Sequence, residues 1–251
     1  MLATAFALTL VMSKPTANEL IAKSWQRTQV VGHRGAAAYK PENTLPSFKE
    51  AIDHGAPAVE CDVHLSKDGE IMIMHAKTLD RTTDLSGPIK EAGSATLREA
   101  GIPTLLDLIH VTKDKAVLIV EIKDGDGIEA KVVDLLRKEK VSQQSIVFGF
   151  DDNRMRLVKQ ADPGQIAIWL VSNPKDLDLV AEKMAASKVD GFGVDYKNMT
   201  AEISAFSKRR RIPLFVWTVP PGEEVENLLK WQVNFIISNH PKDVLAQLPK
   251  P

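Results

Sequence analysis

From Gln29 onward the chain alternates short, β-branched apolar runs with amphipathic stretches, and this rhythm restricts the fold more than any other feature of its 251 residues. The strand-like runs are Val30-Val31, Ala58 to Asp62, Ile71 to Met74, Val117 to Ile122, Ser145 to Phe148, Ile166 to Val171, Val189 to Val194, Leu214 to Val219 and Val233 to Ile237. Between most of them lie helical patterns, such as Glu129 to Glu139, Asn153 to Gln160, Leu177 to Ser187, Glu202 to Arg210 and Glu223 to Trp231. Apolar strands separated by helices predict a parallel sheet covered by helices. Nine runs are one too many for a closed eight-stranded barrel. Asp68-Gly69, between two alternating segments, is a strong signal for a two-residue hairpin turn, and such a turn places Asp62 opposite His75. The second strand is then expected to run on past the barrel, turn, and bring His75 back to its mouth. Setting that excursion aside leaves a (β/α)8 TIM barrel with a β-hairpin after strand 2. Residues 29–251 are read as this domain and 1–28 as an N-terminal extension. An open doubly wound sheet would need G-x-G-x-x-G after its first strand; His33-Arg34-Gly35-Ala36-Ala37-Ala38 does not supply it.

Charge and cysteine content narrow the function. Lys+Arg 32 against Asp+Glu 33 argues against a nucleic-acid partner held by charge. The run Lys208-Arg209-Arg210-Arg211 ends a predicted helix, where cations complement the helix dipole. A single cysteine, Cys61, excludes an intramolecular disulfide framework and a Cys-rich zinc site. No apolar run reaches the ~18 residues of a stable transmembrane segment. Leu2 to Met12 has the length of a signal-peptide core, although no Lys or Arg precedes it and Lys14 falls in the cleavage region. The competing reading is a helix from Ala17 to Gln26 packed on the domain. Export follows if residues 1–17 are a signal peptide, and a cytoplasmic location otherwise.

Polar residues at the C-terminal ends of apolar strands need a chemical reason. Strand one ends in His33-Arg34-Gly35, strand two carries Glu60 and Asp62, and the hairpin returns at His75. The next barrel strand runs into Glu121-Ile122-Lys123. Side chains alternate along a strand, so Glu60 and Asp62 share a face, and Glu121 on the adjacent strand can converge with them. Three carboxylates without thiolates make an oxygen site for one divalent cation, Mg²⁺ or Ca²⁺. Without a cation the crowded anions repel and some hold protons. His33 and His75 are the proton carriers beside them, suited to acid and base work near neutrality. A cation with Arg34 and Lys123 would neutralise phosphate oxygens, which together describes metal-assisted phosphodiester cleavage. His54, His64, His110 and His240 are read as surface or packing residues, with His64 pointing outward on the hairpin. Met72 and Met74 are read as packing, and Phe150 and Tyr196 as strand-end residues open to either role.

The motifs Gly32-His33-Arg34-Gly35, Pro41-Glu42-Asn43-Thr44, Glu60-Cys61-Asp62-Val63, Lys67-Asp68-Gly69, His75 with Leu79-Asp80-Arg81-Thr82-Thr83, and Glu121-Ile122-Lys123 resemble the glycerophosphodiester phosphodiesterase family. The resemblance extends to Val216-Trp217-Thr218-Val219 and Ile236 to Pro241, about residues 29–245. It implies a TIM barrel that hydrolyses a small-molecule glycerophosphodiester, such as glycerophosphocholine, to glycerol 3-phosphate and an alcohol. By the same resemblance Glu60, Asp62 and Glu121 are metal ligands and His33 and His75 the general acid/base pair. Arg34 and Lys123 become phosphate contacts, and Glu42 and Trp217 line the mouth. Two departures stand out. Ala76 replaces the family's Asp after the second histidine, and only Asp84 to Gly101 fills the usual longer insertion. The departures keep two other readings in play, a lysophospholipase D-type lipid phosphodiesterase and a weakly active phosphodiester-binding barrel. Which histidine is acid and which base is left open, as is direct water attack against a cyclic intermediate.

Overall fold

The computed structural model describes residues 14–249; the apolar leader, and with it the reading of 1–17 as a signal peptide, lies outside the described residues. The elements run α1 (Ala17–Ser24), β1 (Gln29–His33), α2 (Leu45–Asp53), β2 (Ala58–Leu65), β3 (Ile71–Ile73), α3 (Ser94–Glu99), α4 (Leu105–Thr112), β4 (Val117–Asp124) and α5 (Ile128–Lys138). They continue with β5 (Ser145–Gly149), α6 (Asp152–Ala161), β6 (Ile166–Leu170), α7 (Leu177–Ser187), β7 (Gly191–Asp195), α8 (Ala201–Arg210), β8 (Leu214–Trp217), α9 (Glu223–Trp231), β9 (Phe235–Ser238) and α10 (Pro241–Gln247). The strand order β1-β9-β8-β7-β6-β5-β4-β2 closes through a β1–β2 pairing, and every pairing in the ring is parallel. It is a TIM barrel. Strand β3 stands outside the ring, antiparallel to the end of β2.

The barrel is a packed core because alternate residues of each strand point inward. Val31, Ala58, Ile119, Ile146, Ile168, Phe215 and Phe235 fill its interior, with the Phe215 and Phe235 rings stacked 4.0 Å apart. Ala17 and Leu20 of α1 join the same cluster, so this helix packs across the strands' N-terminal ends. Thr16 starts it by accepting a hydrogen bond from the Glu19 amide. Following the inward parity upward, β1 reaches His33, β2 reaches Glu60 and Asp62, β4 reaches Glu121 and Lys123, and β8 reaches Trp217. Inward-facing apolar side chains thus give way to ionisable ones at the C-terminal end.

The hairpin differs from the sequence expectation by one residue. Val63 pairs with Ile73 and Leu65 with Ile71, and the Met74 amide donates to the Asp62 carbonyl, so Asp62 faces Met74 rather than His75. The loop holds three residues, Lys67-Asp68-Gly69, with Gly69 at φ +81°, instead of two. Side-chain bonds favour this turn. Ser66 Oγ accepts from the Glu70 amide and donates to Asp68, whose carboxylate also accepts from the Ser94 amide and hydroxyl. Both faces of β3 are covered. Ile71 and Ile73 join the main core, while Met72 and Met74 pack with Leu79, Ile89, Leu97 and Ile102 in a small cap formed by residues 72–102.

Candidate active site

The first turn of the mouth exists because two glycines let the chain pass close to α2. A Cβ on Gly32 would lie 2.4 Å from the Gly35 carbonyl oxygen. One on Gly35, at φ +86°, would lie 2.5 Å from the backbone of Ser47. Ser47 then locks the turn: its hydroxyl donates to the Arg34 carbonyl and accepts from the Ala36 amide. The Arg34 amide is thereby aimed at Glu60 Oε2, 3.0 Å away.

Register brings the acids together. His33 pairs with Glu60 across β1–β2, and Asp62 pairs with Glu121 across β2–β4. Glu60, Asp62 and Glu121 are all buried, and each offers a carboxylate oxygen within 4.8 Å of the other two. Glu60 Oε1 is buried without a hydrogen-bond partner. An anionic oxygen in that position is costly unless a cation or proton meets it. Burial, with Asp62 and Glu121 nearby, pushes the Glu60 carboxyl well above the usual carboxylate range. Burial and Asp62 likewise raise Glu121 to about 7. Asp62 moves the other way: Lys123 and Arg34 outweigh its burial and hold it below its ordinary value. Lys123 Nζ sits 2.6 Å from Glu121 Oε1 and 3.3 Å from Asp62 Oδ1, while Arg34 Nε lies 3.3 Å from Asp62 Oδ2. The donor set is oxygen only, negatively charged and short of partners, which fits a hard divalent cation.

Both expected histidines reach this cluster. His33 Nε2 lies 4.0 Å from Glu60 Oε2, and Nδ1 lies 2.6 Å from Asn239 Oδ1. With the amide oxygen as acceptor, Nδ1 carries the proton and Nε2 keeps a lone pair facing the mouth. Burial and the Arg34 charge lower the His33 pKa to about 4, and burial with Arg34 and Lys123 against Asp62 does the same for His75. Both are neutral imidazoles near pH 7. No described residue hydrogen-bonds the His75 ring; the chain there is held through its carbonyl, which faces His64 Nε2 at 3.3 Å. Ala76 packs against the cap cluster.

The remaining expected residues form the rim. Glu42 accepts from Arg34 at 3.1 Å and also from Arg81, and the two guanidiniums keep it below the usual carboxylate range despite its burial. Trp217 Nε1 is buried without a partner, and its ring meets Phe150 edge-on at 5.4 Å. Phe150, with 45% of its surface exposed, lies 5.7 Å from Lys123 Nζ. Its carbonyl is held by Trp169 Nε1 at 3.0 Å. The mouth cavity that Trp217 and Phe150 share with His33, His75 and Glu121 has a volume of about 100 Å³, and Glu42 lines the neighbouring pocket beside His75.

Sequence reasoning missed three participants. Asn43, in the left-handed region at φ 58°, donates to Asp62 Oδ2 at 2.8 Å and accepts from the Asp62 amide. Asn239 and Arg81 hold His33 and Glu42 as described. Each stands in a quoted motif, which was the only available signal. His64 is corrected: it is buried, 2% exposed, and takes the inward direction that parity with Asp62 gives it.

Comparison with known proteins supplies the family. The sequence profile of the "Glycerophosphoryl diester phosphodiesterase family" matches residues 33–243. A glycerophosphodiester phosphodiesterase of Caldanaerobacter subterraneus is 30% identical over 244 residues, which cover 89% of this chain and 99% of that protein. One from Bacillus subtilis is 27% identical over 248 residues, covering 86% of this chain and 84% of the other. Among solved structures, the glycerophosphodiester phosphodiesterase of Thermotoga maritima superposes with TM-score 0.76 at 26% identity, over 87% of this chain and 97% of that one. A phosphodiesterase of Oleispira antarctica, determined with the product sn-glycerol-3-phosphate, shares the fold with TM-score 0.79 at 24% identity, over 89% and 98% of the two chains. With the profile spanning the barrel from His33 onward, the chain belongs to the glycerophosphoryl diester phosphodiesterase family and is a phosphodiester hydrolase.

Proposed function

We propose that this chain hydrolyses water-soluble glycerophosphodiesters to glycerol 3-phosphate and an alcohol, using His33 and His75 and one Mg²⁺ or Ca²⁺. The observation that carries the reading is the buried triad of Glu60, Asp62 and Glu121, whose carboxylate oxygens converge within 4.8 Å. A cation held there would withdraw charge from the phosphate oxygens. Arg34 and Lys123, both at Asp62, neutralise the same anion from the protein side. The His33 Nε2 lone pair accepts a proton of the attacking water as the water oxygen bonds to phosphorus. Asn239 at Nδ1 keeps the ring in that tautomer and shares the charge it acquires. The bond from phosphorus to the departing alcohol oxygen breaks, and His75 supplies the proton that oxygen needs. The bound phosphate anion raises the basicity of His75 from its low value in the free protein, preparing it as the acid. Trp217 Nε1, an unpaired buried donor, is free to meet a substrate oxygen. Beside His75 a pocket of about 230 Å³, lined by Met74, Thr82, Thr83 and Ile102 among others, gives the leaving alcohol room.

The test is a panel of phosphodiesters assayed with and without chelator, wild type beside Glu60→Gln. Glycerophosphocholine turnover is expected to fall roughly a hundredfold or more on chelation and in the variant. Faster turnover of lysophosphatidylcholine would move the assignment to a lysophospholipase D. Chelator-independent turnover would overturn the metal role, and no turnover of any ester would leave a binding barrel.

A further inference from the structure

The end of the barrel opposite the mouth carries a charge pattern that the reaction does not use. Helix α8 stops at Arg210, shortly before β8 begins at Leu214, so its last turn lies at the strands' N-terminal ends. Arg27 stands at the same end, just before β1. Lys208, Arg209, Arg210 and Arg211 follow one another there, and all are exposed. A helix dipole accounts for part of this, but its pull fades within the last turn. Of the four, only Arg210 has a carboxylate partner among the described residues, Asp178 at 3.9 Å. Elsewhere at this end lysines face acids directly: Lys14 lies 3.0 Å from Asp114, and Lys159 2.9 Å from Asp190. Around α8 the positive charge is uncompensated, in a chain whose total is −1.

An apolar surface adjoins it. The Arg211 guanidinium lies over the half-buried Trp25 ring at 5.6 Å. Beside Trp25 a groove of about 480 Å³ is walled by Leu229, Leu248 and Pro249, with Arg27 and Lys208 at its rim and no acid in its lining. Indole beside cations, with apolar surface behind, matches the boundary between lipid headgroups and acyl chains. Phosphate oxygens satisfy the Arg and Lys groups while the indole and groove take the apolar layer. A polynucleotide would meet the charge but not the apolar wall. Residues 1–13, which contain no charged side chain, join the described chain at Lys14, at this same end.

We propose that this end of the barrel docks peripherally on an anionic phospholipid surface, through Lys208, Arg209, Arg211, Arg27 and Trp25, with the mouth turned to solution. The test is co-sedimentation of the full chain with phosphatidylcholine vesicles and with vesicles that also contain phosphatidylglycerol, at about 0.1 M salt. Wild type is expected on the anionic vesicles and at least about tenfold more weakly on the neutral ones. The triple reversal K208E/R209E/R211E is expected to lose roughly a hundredfold in affinity, at about fivefold per basic residue. Trp25→Ala should lose several-fold, and K138E/K140E, cations of the same end away from the groove, should bind like wild type. Thermal melting checks that each variant folds; should the triple variant unfold, the R209E/R211E pair and a steep salt dependence of wild-type binding serve instead. Equal binding to both vesicle types overturns the proposal, as does full retention by the reversed variant, which would assign the attachment to residues 1–13. Equal loss in K138E/K140E, or tighter binding to a short duplex DNA at the same salt, overturns it too.

Discussion

A cation held by the triad would compete with protons for the same oxygens, and the competition has a calculable size. Burial and Asp62 raise Glu121 from 4.5 to about 7 in the metal-free site, and Glu60 is raised as well. Asp62 is already ionised and gives up nothing on binding. The folded state therefore binds more protons than the unfolded state between pH 4.5 and 7, so stability from this group is intact below 4.5 and is lost as pH rises. The shift of Glu121 corresponds to about 3 kcal/mol by pH 8, or up to about 10 °C of melting temperature for a domain of this size. A cation reverses the loss, because it binds the ionised form that the bare site disfavours. Apparent affinity should rise close to tenfold per pH unit well below 7 for Glu121 alone, about fiftyfold from pH 5 to 7, and more where Glu60 also loses its proton. Calorimetric titration of Mg²⁺ or Ca²⁺ into stripped protein, in buffers of different ionisation enthalpy, counts the protons released. Between one and two are expected near pH 6, and Glu121→Gln should remove about one. Affinity flat from pH 5 to 8 with no proton release would refute the idea that these carboxyls are protonated in the bare site.

Other perturbations separate the supporting residues. Asn239→Ala removes the acceptor that fixes His33 and raises its basicity. Turnover should fall about 10- to 100-fold with KM nearly unchanged, and the acidic limb of the pH profile should move lower; an unchanged kcat sinks the role. Arg81→Ala leaves Glu42 to Arg34 alone, so Arg34 is drawn to the rim and KM for the diester should rise several-fold while kcat holds, as steady-state kinetics would reveal. Gly35→Ala forces a Cβ to 2.5 Å from the Ser47 backbone at φ +86°. That should cost about 3 kcal/mol, a fall of roughly 6–12 °C in a thermal melt, and a shift under about 2 °C would show that the turn yields.

The period of the sequence carried much of this protein. Inward parity alone aligned Glu60, Asp62, Glu121 and Lys123, because a β-strand has only two faces and the apolar residues below them mark the inner one. Parity also puts His64 inside, and the outward reading fails because the cap of residues 72–102 covers the hairpin. The hairpin slipped by one because Asp-Gly is compatible with two turn types. The choice was made by Ser66 and by Ser94, the latter 26 residues beyond Asp68. The bond between His33 and Asn239 spans 206 residues and leaves no local periodic trace. Short-range chemistry was readable, and long-range partners were not.

Pairing of His33 with Glu60, and of Asp62 with Glu121, ties the carboxylate spacing to the hydrogen-bonded ladder of the ring. Until β4 has paired with β2 the three acids have no fixed spacing, so an ion cannot stabilise shorter fragments of the chain; it rewards only a chain that has formed that ladder. The connecting segments carry no such duty. They can lengthen, shorten or change composition over the mouth while the acidic centre stays where the ladder put it.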